Sequence, residues 1–126
     1  MKVRGILRET LEFILNVARS SHPNEFIGLL EVEDGIVKNI IFLPGTSVSD
    51  SLALLRMEMM PLGMRFGGTV HSHPSPNPLP SEEDLFTFSK LGGIHIIVAY
   101  PYEPESWKCY DSQGNEIELE IVEEEE

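Results

Sequence analysis

The stretch that decides the fold and the chemistry runs from residue 71 to residue 84 and reads H-S-H-P-S-P-N-P-L-P-S-E-E-D. His71 and His73 stand two apart near the end of a predicted strand, where alternate side chains point the same way. The prolines that follow restrict the backbone, so the loop loses little entropy when it brings Ser81 and Asp84 to a fixed place. Two imidazoles and one carboxylate, with a fourth position left to water, are the ligand set of a catalytic zinc site.

Each half of this pattern also has an ordinary structural explanation. Residues 81–84 match a helix capping box, with Ser81 as the N-cap and an acidic residue three positions later. A lone H-x-H pair is common on half-exposed strands. The combined spacing makes a metal site the stronger interpretation, and the ligand types favour zinc. The facial triad of a non-haem iron oxygenase uses the same ligand types and is the chemical alternative.

A hydrolytic zinc site also needs a carboxylate that accepts a proton and is not itself a ligand. Glu25 is the candidate, because it stands at the entry to an apolar stretch, where a buried core does not favour a charge. An exposed glutamate at the end of a strand is the plain alternative.

The bulk composition predicts one compact domain. The chain has 126 residues, a formal net charge of −12 and a single cysteine, Cys109. We expect a domain at residues 1–122 and a solvated acidic tail at residues 123–126. The acidic surface argues against a nucleic-acid partner. No apolar run approaches the roughly 20 residues needed to cross a membrane, and no signal peptide is recognised, so we expect a cytoplasmic protein without a membrane contact.

Periodicity and turn signals predict an α+β chain with a mixed sheet and helices packed on it. The Asp34-Gly35 pair predicts a hairpin, and Gly92-Gly93 predicts a helix end. His95 and Cys109 are predicted to be core residues. The predicted helices are 6–20 and 81–91, and the predicted strands are 25–32, 36–43, 69–73, 94–100, 107–110 and 117–122. Residues 51–60 fit either a strand or a helix, and the strand is the favoured interpretation.

The H-S-H-P motif, the seven-residue spacer to Ser81 and the position of Asp84 resemble the signature of the JAMM (MPN-plus) metalloproteases. Residues 24–30, N-E-F-I-G-L-L, are similar to the E-x-x-G-x-L strand of that family. The resemblance covers almost the whole chain and is strongest to the short stand-alone archaeal and bacterial members. It implies a curved mixed sheet flanked by helices, as in cytidine deaminases, although the P-C-x-x-C ligands of zinc deaminases are absent.

The resemblance also implies roles for individual residues. His71, His73 and Asp84 would bind Zn2+. Glu25 would take a proton from the zinc-bound water and pass it to the leaving amine, and Ser81 would stabilise the oxyanion.

The reaction implied is hydrolysis of an amide or isopeptide bond after the C-terminal glycine of a ubiquitin-like or sulfur-carrier protein. Residues 54–60 are the suggested strand edge that would pair with the extended substrate tail. C-terminal processing of a sulfur-carrier protein and a non-catalytic MPN scaffold are the alternatives. Nothing in the sequence predicts the oligomeric state.

Overall fold

The structure is a computed structural model that describes residues 2–43 and 66–123. The strand or helix expected at 51–60, the suggested edge at 54–60 and the last three tail residues lie outside this range. The described elements, in chain order, are β1 (Gly5–Leu7), α1 (Arg8–Ser21), β2 (Ile27–Glu33), β3 (Ile36–Leu43), β4 (Phe66–His73), α2 (Glu82–Leu91), β5 (Ile94–Ala99), β6 (Trp107–Tyr110), β7 (Glu116–Ile117) and β8 (Glu120–Val122).

The strands form one eight-stranded mixed sheet in the order β7-β6-β5-β4-β2-β3-β1-β8. Strand β4 lies in the interior, antiparallel to β2 and parallel to β5. Every residue of β5 is buried, as expected for a mostly apolar strand covered on both faces. The predicted α+β class with a mixed sheet is therefore confirmed.

Helix α1 presents one apolar stripe to the sheet, because Leu11, Ile14, Leu15 and Ala18 recur at helical spacing and are buried. The helix begins at residue 8, two residues later than predicted. The preceding residues instead form β1, which pairs in parallel with both β3 and β8. The short strand was missed because an apolar residue beside a helix fits the helical pattern equally well.

The two faces of the sheet carry different layers. Val70, Ile96 and Val98 belong to the large core cluster that also includes the buried stripe of α1. Phe88 of α2 packs with Ile97 and Tyr110 in a second, smaller cluster. Because side chains alternate along a strand, His71 lies on the face opposite Val70, which is the face covered by α2.

The C-terminal part of the chain differs from the prediction. A single strand was expected at 117–122, but the segment forms two strands at opposite edges of the sheet. Strand β7 pairs with β6, whereas β8 pairs with β1. Leu119, between them, is buried in the large core. Within the described residues, no helix is long and apolar enough to span a membrane.

Candidate metal centre

The two histidines lie at the carboxyl end of β4, where the strand leaves the sheet. The His71 side chain is fully buried, and that of His73 is 16% exposed. The His71 imidazole therefore faces the site from the protein interior, and the His73 imidazole faces it from the side nearer the surface. This arrangement leaves the outer side of the site open to solvent.

Asp84 reaches the histidines because a capping box begins helix α2. The Asp84 N–H donates to Ser81 Oγ at 3.0 Å, and the Ser81 N–H donates to Asp84 Oδ2 at 2.9 Å. The same oxygen, Oδ2, faces the His71 imidazole. The capping and metal-site interpretations of this segment are therefore compatible, since one carboxylate takes part in both arrangements.

Two further contacts fix the proline-rich loop that leads to Ser81. The Tyr110 hydroxyl donates to the Pro78 carbonyl at 2.8 Å, and the Leu79 N–H donates to the Asn77 side-chain oxygen at 3.0 Å. With φ set by the prolines, these contacts restrict the loop before any ligand binds.

The three ligand atoms have the spacing of a tetrahedral metal site. His71 Nε2 lies 3.2 Å from His73 Nε2 and 3.3 Å from Asp84 Oδ2, and His73 Nε2 lies 3.5 Å from Asp84 Oδ2. Zinc bonds of about 2.0–2.1 Å at tetrahedral angles place neighbouring ligand atoms about 3.3 Å apart. The site therefore fits a zinc ion. Among the described residues, this is the group of His, Cys, Asp and Glu side chains that can hold a metal.

The hydrogen bond on the far side of the His73 ring fixes which nitrogen faces the site. His73 Nδ1 lies 2.9 Å from the Asn77 carbonyl, which only accepts, so Nδ1 carries the hydrogen. Nε2 is then free to bind a metal, as in metal sites where a backbone carbonyl orients the histidine. His71 Nδ1 is buried and has no hydrogen-bond partner among the described residues.

The electrostatics of the site favour a charged carboxylate. Burial raises the pKa of Asp84, but hydrogen bonds with His71 and His73 outweigh it, and the pKa lies well below its usual value. The hydrogen bond with Asp84 raises the pKa of His73, burial partly opposes this, and the negative charge of Glu25 adds to the increase. The ligand set thus contains a carboxylate that is ionised at neutral pH.

Glu25 lies just before β2 rather than within the predicted strand, and it is exposed. Its charge acts on His73 and also on Tyr102, whose pKa is raised first by burial and then by Glu25. Ser81 is also exposed, and its hydroxyl oxygen accepts the capping hydrogen bond. With this oxygen accepting the capping hydrogen bond, the hydroxyl hydrogen can still be donated to another group.

Three contributors to the site were not predicted from the sequence. They are the Asn77 carbonyl, the buried Tyr102 and Ser72, which stands between the two histidines. A backbone carbonyl carries no residue signal, and Tyr102 lies in a loop far along the chain. Only Ser72 could have been inferred, from its position inside the motif.

With this geometry in place, comparison with known proteins defines the class. The family model of prokaryotic homologs of the JAB domain matches residues 7–110. A probable metalloprotease of Haloferax volcanii is 33% identical over 131 residues, which cover 96% of this chain and 81% of the relative. The fold and site are those of a JAMM/MPN protein. The chain belongs to the family of prokaryotic homologs of the JAB domain.

Solved structures agree with this assignment. A JAB1/MPN domain protein from Archaeoglobus fulgidus superposes with a TM-score of 0.78 at 47% identity, covering 94% of this chain and 98% of the other. A structure described as JAMM, a metalloprotease-like zinc site in the proteasome and signalosome, gives 0.76 at 45% identity, covering 96% and 99%. A Desulfitobacterium hafniense protein shares the fold at 23% identity, with a TM-score of 0.64 and coverage of 98% and 94%.

Proposed function

We propose that this protein is a zinc-dependent isopeptidase or peptidase. Its substrate would be the bond after the C-terminal glycine of a ubiquitin-like or sulfur-carrier protein. Family membership and the probable metalloprotease relative support a metalloprotease. The observation that carries the proposal is the tetrahedral spacing of His71, His73 and Asp84 at a solvent-facing edge, within electrostatic reach of Glu25.

In this proposal His71, His73 and Asp84 are the zinc ligands. Zinc, when bound, polarises a carbonyl group and lowers the pKa of water toward neutrality. Asp84 suits the ligand role because it is ionised, and His73 because its Nδ1–H donates to a carbonyl and leaves Nε2 unprotonated. His71 supplies the buried side of the site, where water is excluded.

Glu25 is the proton carrier. Its carboxylate is exposed, is not part of the metal cluster, and acts electrostatically on His73 at the open side of the site. It accepts a proton from attacking water and returns it to the departing amine, which would otherwise leave as an unstable anion. Ser81 keeps its hydroxyl hydrogen for the oxyanion, because its oxygen already accepts from the Asp84 N–H.

A protein substrate suits the shape and charge of the molecule. The metal cluster lies at the carboxyl end of β4, where the His73 side chain is partly exposed, so an extended peptide can bring one carbonyl to it. The net charge of −12 favours a neutral or cationic protein over a nucleic acid.

The test is cleavage of modifier fusions. Zinc-loaded protein is incubated with ubiquitin-like and sulfur-carrier proteins extended beyond their C-terminal glycine, either by a peptide bond or through a lysine side chain. Mass spectrometry should show a cut directly after the glycine, lost on chelation and regained with zinc. Cutting only the peptide-linked fusion would indicate a processing peptidase. Absence of any cut, with zinc bound, would support the scaffold alternative and contradict the proposal.

Glu25→Gln is the matched variant for this experiment. We expect zinc to stay bound at the wild-type stoichiometry, because the metal cluster lacks Glu25. Turnover should fall by about 10²- to 10⁴-fold, the usual contribution of a general base. Elemental analysis and cleavage rates measure the two effects separately. Loss of zinc from this variant would make Glu25 a ligand and contradict its assignment as proton carrier.

A further inference from the structure

Ser72 stands between the two histidines and points away from them. Alternation along β4 directs its side chain to the face opposite His71 and His73. The residue is completely buried. A buried hydroxyl without a partner is costly, so its hydrogen bonds indicate what it does.

Two hydrogen bonds connect Ser72 to one residue, Phe26. The Phe26 N–H donates to Ser72 Oγ at 3.0 Å, and the Ser72 N–H donates to the Phe26 carbonyl at 3.1 Å. The regular ladder between β2 and β4 ends at the pair of Ile27 with His71. The Ser72 hydroxyl therefore extends the pairing by one residue beyond the ladder, to the residue that follows Glu25.

Glu25 depends on its neighbours for its position. The residue is exposed, and its carboxylate has no hydrogen bond or ion pair to any other residue in the described ranges. A glutamate side chain loses considerable rotamer freedom when it is fixed, and a mobile backbone would add to that loss. The backbone on either side of Glu25 therefore bears directly on where its carboxylate lies relative to the metal cluster.

The other end of the same segment is attached to β4 as well. His22 Nδ1 lies 2.9 Å from the Tyr102 hydroxyl, which donates to the His73 carbonyl at 3.3 Å. Residues 22–26 are therefore connected at one end to His73 and at the other to Ser72. Ser72 and His73 are the two residues that directly follow the buried ligand candidate His71 in the motif.

From these contacts we infer that Ser72 is a positioning residue, which sets the distance between the Glu25 carboxylate and the two imidazoles by fixing the Phe26 amide. The inference rests on the proposed function, since it takes Glu25 as the proton carrier. It assigns to the hydroxyl between the histidines a role distinct from metal binding. Tyr102 provides the second attachment of the segment.

The experiment compares Ser72→Ala, which removes the acceptor, with Ser72→Thr, which retains it. Ser89→Ala is the control, because the Ser89 hydroxyl also bonds to the backbone, donating to the Phe86 carbonyl, but is exposed on α2. Three quantities are measured on zinc-loaded protein: hydrogen exchange of the Phe26 amide by NMR, zinc affinity by chelator competition, and kcat and KM for the fusion substrate. If Ser72→Ala does not fold, Ser72→Cys replaces it, with a similar volume and a weaker acceptor.

We expect Ser72→Ala to lose protection of the Phe26 amide and to keep the zinc affinity of the wild type. Its kcat should fall about 10- to 100-fold, as for a catalytic group displaced by about 1 Å, with KM nearly unchanged. Ser72→Thr should regain both Phe26 protection and kcat, and Ser89→Ala should resemble the wild type. A merely structural role would not separate kcat from zinc affinity in this way.

Two results would overturn the inference alone. One is unchanged kcat in Ser72→Ala beside an active wild type, and the other is a Phe26 amide that stays protected without the hydroxyl. Failure of the wild-type protein to cleave any fusion would instead overturn the proposed function, and the role of Ser72 with it. The two failures are thus distinguishable in one set of measurements.

Discussion

Asp84 shows how one carboxylate oxygen can belong to a helix start and to a metal cluster. Its Oδ2 accepts from the Ser81 N–H and lies 3.3 Å from His71 Nε2. The helix N-terminus stabilises the negative charge that a divalent ion also requires. The helix therefore orients the ligand before a metal arrives.

This dual role predicts different consequences for the two capping residues. Asp84→Asn keeps an acceptor for the Ser81 N–H but removes the charge. Zinc affinity should therefore fall by more than about 100-fold, which exceeds the usual loss when a residue that only hydrogen-bonds to a metal ligand is replaced. Ser81→Ala should cost about 1 kcal/mol of unfolding free energy and leave zinc affinity close to that of the wild type. Chelator competition and urea denaturation measure the two effects. Equal zinc affinities for Asp84→Asn and wild type would remove Asp84 from the ligand set.

His95 is the buried histidine that the sequence analysis placed in the core, and its hydrogen bonds define its form. Nε2 lies 2.8 Å from the Gly92 carbonyl, so it carries the hydrogen, and Nδ1 accepts from the Thr69 hydroxyl at 2.7 Å. The ring stacks on Phe88 with centroids 4.2 Å apart. Burial is the main cause that lowers the pKa of His95 to about 4.

A lowered histidine pKa makes stability depend on pH. The pKa of His95 is 6.5 in the unfolded chain and about 4 in the folded protein. Between these two pH values the unfolded chain binds one more proton at His95 than the folded protein does. The contribution of His95 is therefore fully present above pH 6.5 and is lost as the pH falls toward 4, by about 3 kcal/mol in total. The unfolding free energies of wild type and His95→Gln, measured from pH 7 to pH 4, should converge by this amount. Parallel pH curves would contradict the assignment.

At the scale of single residues, the sequence identified side chains with a distinctive spacing. His71, His73 and Asp84 could be placed together because strand alternation and helix capping are local rules. Tyr102 could not, because its contact with His22 bridges a sequence separation of 80 residues through a loop. Local patterns carry no information about contacts of that kind.

At the scale of elements, the close approach of β4 and β5 depends on Gly68. Its φ is +151°, and a Cβ placed there would lie 1.6 Å from the Ile94 carbonyl oxygen. The two residues are paired in the parallel ladder, so the clash is with backbone that cannot rotate away. His71 and His73 of the metal cluster lie at the opposite end of β4.

Gly68→Ala is therefore expected to destabilise the protein by about 3 kcal/mol or more, at or above the upper end of overpacking costs. Gly92→Ala is the matched control, since a Cβ there meets nothing within 4 Å. Its φ of +70° should cost only about 1–2 kcal/mol. Urea denaturation of both variants measures the difference. Similar losses for the two would show that strand spacing does not depend on Gly68.

Elements with strong local signals were predicted well. Helix α2 has a capping box at its start and glycine after its end, and the hairpin of β2 and β3 has an Asp-Gly turn. Strand β1 has three residues and exists because it pairs with β3 and β8. A strand defined by its partner and not by its own pattern cannot be recognised from a local window.

At the scale of the whole molecule, Cys109 reports on the integrity of the sheet. It lies in β6, 2% exposed and part of the large core cluster, and burial raises its pKa to about 12. Neither solvent nor a thiol reagent can reach it unless the core opens. The sequence analysis predicted this core position from the small apolar character of the side chain.

The thiol should consequently react only through unfolding. From the pKa alone, the reaction of native protein with a disulfide reagent at neutral pH should be about 10³-fold slower than that of an ordinary cysteine, and burial slows it further. The rate should rise with urea in parallel with the unfolding transition seen by circular dichroism. Reaction of folded protein at the rate of a free thiol would contradict this location.

The fold class was predictable because the chain alternates clear helix and strand signals around one motif. The sheet order was not, since it brings together strands from both halves of the sequence. The placement of β8 beside β1 depends on tertiary packing, including the burial of Leu119 between β7 and β8. Only the three-dimensional structure shows that the last described strand returns to the first.

That return has a consequence for synthesis on the ribosome. Gly5 pairs with Glu120 and Leu7 with Val122, so one side of β1 has no partner until translation of the described chain is nearly finished. The residues of the metal cluster, and the strands that pair with β4, are all translated before then. The strands around the metal cluster are therefore all synthesised before β8, whose pairing with β1 completes the outermost border of the sheet.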